Sequence, residues 1–450
     1  MASASSKGPI QDLLDSPLAK SSDFMRKELR HNRTSIVIMY LKSICDEAKI
    51  QKDLVIPYYR SDYVADYEDY LFSLTDQDPS SKAQGNLVER VVKGEVLVFT
   101  GKALFGIPLK KPVQDTSGPA DVEISVIGPK QAFSEEMNIN LNILRTRYNE
   151  PTLTIETMKL ESHPKTEVTI VYDRNLVEQK VLDNVKHDLE KLKRKLVIQA
   201  AGQLTRRMSN FKHTLFPTVM ITERPDRVVL NLSQGKVAVF LHGTPFVIVA
   251  PAVFYDFMSA MDDLYSHFWT GHFLLVLRYI GLNINLTLAS LFVGFTSYNP
   301  EFLRVQLALS IAGSRAPVPY PSYFEVLFML LMMELLTEAS IRLPRTVGST
   351  ATTVGGLILG TAATEAGLVS NIMIIIVAAV AISNFVLPIN EMMFAMRVMK
   401  YIFLGITTMF GVMGLVIAFV GLLVHLTRKE SYGMPYLKLF QENGKTVIRQ

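Results

Sequence analysis

Two regimes of hydrophobic patterning divide the chain. Up to about Tyr265 the apolar positions come in short runs flanked by polar residues, and roughly a quarter of the positions are charged. From Phe273 to Leu426 long apolar runs follow one another, and fewer than one position in ten is charged. In the first regime one pattern appears twice. Thr34-Ser-Ile-Val-Ile-Met-Tyr40 and Glu167-Val-Thr-Ile-Val-Tyr172 are β-rich runs, each followed by an amphipathic stretch. In the second copy that stretch, Leu176–Lys195, carries Val177, Val181, Val185 and Leu189 at helical spacing. Gly94–Phe99 and Gly235–Phe240 then each reach a glycine, Gly101 or Gly243, and return through Leu104–Pro108 or Pro245–Pro251. Both read as β-hairpins with glycine where the turn needs positive φ. Tyr40 to Tyr172 is 132 residues and Gly94 to Gly235 is 141, so one α/β unit is duplicated in tandem.

In the second regime His272–Thr296, Val347–Leu368, Asn371–Phe394 and Tyr401–Leu426 are each about long enough to cross a bilayer. Tyr323–Ile341 is a fifth apolar stretch, but it holds Glu325, Glu334 and Glu338 and reads as a polar membrane helix or an interfacial one. Tyr265, Phe268 and Trp269 stand where interfacial aromatics are expected. Lys and Arg follow several segments, so charge does not set the orientation, and four to six spans fit. The expected architecture is a duplicated α/β cytoplasmic domain plus an α-helical polytopic membrane domain. Its parts are a disordered segment 1–22, α/β subdomains 23–126 and 127–265, transmembrane helices 266–430 and a cytoplasmic C-terminal tail 431–450.

Composition narrows the function. The 450 residues are 49% hydrophobic and 20% charged, with a formal net charge of +4 and one cysteine, Cys45. Basic residues form no aromatic-interleaved stripe, which argues against nucleic acid. A single cysteine excludes an internal disulfide and a thiolate zinc cluster. No Gly-Lys-Ser/Thr phosphate loop and no Gly-x-Ser-x-Gly elbow occurs, so the residues point to no enzyme and no cofactor. His242 beside Gly243 reads as a turn residue, and His267 with His272 miss the spacing of a helical zinc pair.

Four groups carry candidate chemistry. Glu334 and Glu338 share a helix face that Arg342 continues. They are either an acidic face lining a cation path or acids at the interface with a basic anchor. Asn384, Pro388, Asn390 and Glu391 interrupt the fourth run, as a kink or a gating position. Gly356, Gly360 and Ala363 fall on one face suited to close helix packing with partner or like subunits. Glu223, Arg224, Asp226 and Arg227 surround Pro225 as a docking loop or as a solvated turn.

Several motifs together strongly resemble the A subunits of GerA-type (GerA/SpoVAF) spore germination receptors. They are Ile341-Arg-Leu-Pro-Arg345, Val354-Gly-Gly-Leu-Ile-Leu-Gly360, Glu365-Ala-Gly-Leu-Val-Ser370, Thr222-Glu-Arg-Pro-Asp-Arg227, Gly243-Thr-Pro-Phe246, Asp262-Asp-Leu-Tyr265 and Ser431-Tyr-Gly-Met-Pro-Tyr-Leu437. The resemblance implies a cytoplasmic domain joined to a membrane domain in the spore inner membrane. It also implies work beside a transporter-like B subunit and a lipoprotein C subunit, homo-oligomerisation, and a part in early ion release. A secondary transporter or a membrane scaffold with a large regulatory domain are the alternatives from other classes.

Overall fold

The computed structural model describes residues 9–31, 34–61, 63–75, 87–101, 103–112, 118–160, 166–192, 198–208 and 214–437. Residues 1–8 and 438–450, the ends of the expected N-terminal segment and C-terminal tail, lie outside them. The chain forms two compact units. The first holds Met1–Lys212, Thr218–Pro251 and Ser431–Gly433; the second holds His213–Pro217, Ala252–Glu430 and the residues from Met434.

The first unit contains two antiparallel sheets. One is ordered β1 (Phe24–His31), β2 (Thr34–Leu41), β3 (Glu95–Phe99), β4 (Leu104–Pro108). The other joins β5 (Leu153–Leu160), β6 (Thr166–Asp173), β7 (Met220–Thr222), β8 (Val237–Leu241) and β9 (Val247–Ala250) in the order β5-β6-β8-β9-β7. Strands β1 to β4 and β5, β6, β8, β9 thus recur in the same spatial order with the same antiparallel pairing. β7 extends the second sheet alone. The hairpin glycines Gly101 and Gly243 have φ of 89° and 84° in open space, as their turns require. His242, expected to tolerate positive φ, does not need to, because Gly243 takes that conformation.

β2 shows why its run is apolar throughout. Ile36, Ile38 and Tyr40 pack on one face with Leu54, Tyr58, Tyr67 and Leu71. Met39 and Leu41 pack on the other with Leu13, Leu18, Leu87 and Val91. Successive side chains point to opposite faces, so a strand covered on both sides loses its polar alternation. Leu13 belongs to helix α1 (Pro9–Asp15) and Leu18 to the 3-10 turn Pro17–Lys20, both fully buried. Residues 9–22 are therefore ordered where local composition predicts disorder: two leucines find a sheet face to cover.

Further helices of this unit are α2 (Val64–Leu74), α3 (Met137–Arg147), α4 (Gln179–Lys191), α5 (Ala201–Met208) and α6 (Pro225–Ser233). α3 ties the two sheets together. Its fully buried Arg145 donates Nη2 to Asp23 Oδ1 at 3.1 Å and Nε to Oδ2 at 3.2 Å, while Asn142 reaches the Ser43 carbonyl at 2.9 Å. Ser431–Gly433, expected in a tail, is held here: Ser431 donates to the Thr218 carbonyl at 2.6 Å and Asn184 to that of Tyr432 at 3.3 Å.

The second unit is helical. Its main run starts at Ala252, ahead of the expected 266, and Asp263 on the short helix Met261–Tyr265 pairs with Arg278 within it. Its main helices are α7 (Phe268–Ser297), α8 (Val305–Arg315), α9 (Ser322–Arg342), α10 (Arg345–Glu365), α11 (Asn371–Asn384) and α12 (Asn390–Arg428). α7 and α12 are long and apolar enough to cross a membrane. The expected helix Asn371–Phe394 is broken: α11 stops at Asn384 and α12 begins at Asn390, so the Pro388 region is a connection and more than a kink. The expected start at Tyr401 is the interior of α12.

α12 turns a corner. Gly411 has φ 64° and ψ −151°, outside helical space, a conformation essentially open to glycine alone. A Cβ on Gly414 would lie 2.6 Å from the carbonyl oxygen of Ile406, eight residues back. In an unbroken helix those residues stand about 12 Å apart along the axis. The 39 residues are thus two helical arms, 390–410 and 412–428, meeting at Gly411. Tyr298, just past α7, fills the corner with its ring and donates its hydroxyl to the Thr408 carbonyl.

Candidate functional site

Three acids of α9 meet three different fates. Glu325 is fully buried. Its Oε1 accepts the Ser370 amide at 2.6 Å and the Ser370 hydroxyl at 2.5 Å, and its Oε2 pairs with Arg315 at 3.2 Å. Ser370 in turn caps α11 by accepting the Met373 amide at 3.3 Å, so the carboxylate sits at the positive end of that helix. Glu338 pairs with Arg342 at 2.9 Å, one turn along the same helix, and both are exposed. Such a pair contributes a few tenths of a kcal/mol.

Glu334 is the centre of a charged cluster. Lys400 Nζ lies 2.7 Å from its Oε1, and Arg397 donates Nε to its Oε2 at 2.8 Å with a second contact through Nη2. Arg397 and Lys400 are three apart on the first arm of α12, so both reach across to one carboxylate. Lys400 is 3% exposed. Arg397 also lies over the Phe394 ring and Lys400 over that of Tyr401, at 5.5 and 5.3 Å to the centroids. One acid and two bases carry a net positive charge, with Lys400 buried and Glu334 and Arg397 half-buried between the helices. The cost of separating such charges in an apolar surrounding holds α9 to α12.

The structure therefore divides the expected acidic face. Glu334 turns to α12, whereas Glu338 and Arg342 stay on the exposed side of α9. Arg397 and Lys400 follow an apolar run in the sequence and are among the basic residues that leave the orientation unset. Their signal was two like charges at i, i+3 beside a stretch bearing an acid. Asn384 accepts a hydrogen bond from Asn285, a fully buried residue of α7, at the end of α11. Pro388 lies in the connection that follows, and Glu391 in the first turn of α12.

The small-residue face packs inside the chain. Cβ atoms built on Gly355 and Gly356 meet Leu336 of α9 at 3.1 and 3.6 Å, and one on Gly360 meets Ile374 of α11 at 3.8 Å. Ala363 belongs to the helical core with Val326, Met329 and Met373. Gly356 and Gly360, both half-buried, thus lie beside α9 and α11 of the same chain.

In the first unit, the stretch around Pro225 is neither solvated nor a free loop. Glu223, Arg224 and Arg227 are buried. Arg224 pairs with Asp226 at 2.6 Å, Arg227 with Glu123 at 2.8 Å, and Glu223 Oε1 accepts the amides of Val122 and Glu123 at 2.5 and 3.1 Å. Pro225 opens α6, where its missing N–H costs nothing. These charges grip the segment 118–132 of their own unit.

Comparison with known proteins places the chain. The family model described as Bacillus/Clostridium GerA spore germination protein matches residues 12–450. Spore germination protein KA of Bacillus subtilis (strain 168) is 31% identical over 431 residues, 93% of this chain and 79% of that one. Spore germination protein GerQA of Bacillus cereus is 31% identical over 442 residues, 97% of this chain and 88% of that one. The solved N-terminal domain of the A subunit of the Bacillus megaterium spore germinant receptor GerK3 aligns at 26% identity and a TM-score of 0.37, over 54% of this chain and 94% of that one. With a match running from Glu334 and its two bases back through both sheets, this chain belongs to the GerA family of spore germination proteins.

Proposed function

We propose that the chain is the A subunit of a nutrient germinant receptor in spores, and that it passes the nutrient signal to early ion release. In this reading the helical unit is a multi-pass domain of the spore inner membrane and the α/β unit is cytoplasmic. A transporter-like B subunit and a lipoprotein C subunit complete the receptor, and copies of this chain assemble around the ion path. The role is not enzymatic.

The Glu334–Arg397–Lys400 cluster carries the reading. Ionisable groups at bilayer depth are costly and face protein or water. Here three of them are matched between α9 and the first arm of α12, next to an arm that ends at a glycine corner. Such a cluster is a two-position element: closed, the carboxylate offsets one of the two positive charges; parted, it exposes all three charges to whatever fills the gap. A nutrient signal that shifts α12 has to supply the energy of that parting. The corner at Gly411 also supports a multi-pass arrangement. The arms measure about 31 and 26 Å, near the hydrocarbon thickness, where an unbroken 39-residue helix would measure about 58 Å.

Release of monovalent cations from spores tests the role. Spores without this chain are expected to lose release toward the nutrients its receptor reads, and to regain it with the chain restored. Unchanged release toward every nutrient that triggers the parent spores would end the proposal.

A further inference from the structure

Seven bases and no acid fall between Lys191 and Lys212: Lys191, Lys193, Arg194 and Lys195, then Arg206, Arg207 and Lys212. The remaining chain holds 39 bases against 42 acids, so these 22 positions outweigh the whole net charge of +4. The nearest acids before them are on α4, where Asp188 lies 3.9 Å from Lys191 and Glu190 is exposed. No acid follows until Glu223. Basic residues in the last turn of a helix suit its dipole, but that accounts for Arg206 and Arg207 alone.

α5 shows which kind of partner the stretch fits. Ala201, Leu204 and Met208 are buried in their own unit, as is Ile198, whose carbonyl accepts the Thr166 hydroxyl at 3.2 Å. Arg206 and Arg207 are exposed, and exposed Gly202 stands one turn before Arg206 on the same face. An amphipathic helix whose apolar face is already covered has nothing to insert into lipid. It offers charge at a surface instead. The aromatic platforms that stack nucleic-acid bases are missing, since Phe211 is the one aromatic among the 22 residues. Clusters of about four to eight bases next to a spanning helix attract anionic headgroups. Chain connectivity supplies that position. His213–Pro217 belongs to the helical unit, where the carbonyl of buried Phe216 accepts Lys429 Nζ. Lys429 caps the second arm of α12, and Arg428 beside it is exposed. Lys212 is therefore one residue from a segment held at the end of an apolar arm.

We propose that Lys191–Lys212 is a polybasic clamp that holds the α/β unit to the anionic headgroups of the bilayer through charge alone. The proposal rests on the membrane reading of the helical unit above and adds the lipid surface that the α/β unit meets.

Headgroup quenching tests it with the full chain in vesicles. A Cβ on Gly202 meets nothing within 4 Å, so Gly202→Cys accepts a fluorophore beside Arg206. Cys45, the sole native cysteine, is 2% exposed, and burial pushes its thiol up to about 12, which keeps it from the label. The vesicles carry a nitroxide on the headgroup of a minor lipid, in phosphatidylcholine alone or in phosphatidylcholine with phosphatidylglycerol. Quenching is expected with phosphatidylglycerol at about 0.1 M KCl. It should be lost at about 1 M KCl, where the screening length falls from about 10 to about 3 Å. Arg206→Gln with Arg207→Gln should lower the ratio of docked to undocked units about 25-fold, roughly five-fold per base. Arg206→Lys with Arg207→Lys keeps the charge and should keep the quenching, which a purely structural role for the guanidinium groups would not allow. Quenching that ignores both lipid charge and salt would overturn the proposal, and so would no quenching in either lipid. A label that responds to an added oligonucleotide and not to phosphatidylglycerol would make the stretch a nucleic-acid surface and overturn it too. Flotation separates the two levels. A chain that floats with the vesicles while its label ignores phosphatidylglycerol removes this clamp only; a chain that does not float removes the membrane reading as well.

Discussion

Arg145→Met is expected to destabilise the α/β unit by about 3–5 kcal/mol, the range for leaving one member of a buried ion pair uncompensated. Arg145 is fully buried, and beyond Asp23 it reaches Ser21 Oγ at 3.3 Å and the Glu150 carbonyl at 3.4 Å. Asp23 accepts from Ser21 at 2.5 Å and Ser43 at 2.6 Å, so its carboxylate is satisfied only as an anion facing a cation. Burial alone would raise the Asp23 pKa, but the charge and hydrogen bonds of Arg145, with Ser21 and Ser43, outweigh it and hold the group below its ordinary 3.8. The resulting stability is complete above that ordinary value and is lost as pH falls through the lowered native one. Hydrogen exchange of β2 and β6 amides in the full-length protein reads this locally, with protection expected to drop roughly a hundred-fold or more. Asp23→Leu added to Arg145→Met should recover most of the loss, since an apolar pair of similar volume leaves no buried charge. Full protection in the single variant would show that the cluster does not join the sheets.

The second large effect is expected at Glu334. Glu334→Gln leaves Arg397 and Lys400 facing a neutral amide, and should lower the stability of the helical unit by about 2–4 kcal/mol, somewhat less than outright loss of a buried partner. Lys400→Met should cost less, because the Glu334–Arg397 pair survives it. Glu338→Gln removes only an exposed i, i+4 pair, an effect within about 0.5 kcal/mol. Thermal midpoints of the full chain in detergent rank the three. Equal midpoints for Glu334→Gln and Glu338→Gln would contradict the division of the acidic face.

What the sequence made legible follows from what is local. β2, β6 and the two hairpins announced themselves because β-branched runs ending at a glycine need no distant information. β1 did not, since Phe24–His31 carries Arg26, Lys27, Glu28 and Arg30 on an edge strand with polar faces. α1 escaped because its leucines are buried by a sheet distant in sequence. In the helical unit, composition marked the long helices but not α8, which is short and flanked by Arg304 and Arg315. The corner at Gly411 was invisible: one glycine among many in an apolar run says nothing about φ until Tyr298 is seen beside it. Candidate residues were found as types and misjudged as pairs. Glu334 and Glu338 share a spacing, but Glu334 is claimed by bases 63 and 66 residues further on, at 397 and 400, and no helical periodicity reaches that far. The charges around Pro225 looked solvated because their partner, Glu123, lies a hundred residues earlier.

In the proposed role the Glu334–Arg397–Lys400 cluster, not the exposed Glu338 beside it, governs the step from nutrient to ion release. Time-resolved cation release from spores bearing Glu334→Gln or Glu338→Gln, at matched protein abundance, measures this directly. Nutrient-triggered release with altered onset or rate in Glu334→Gln, and parental kinetics in Glu338→Gln, is the predicted result. Parental kinetics in both variants, or a change confined to Glu338→Gln, would contradict it.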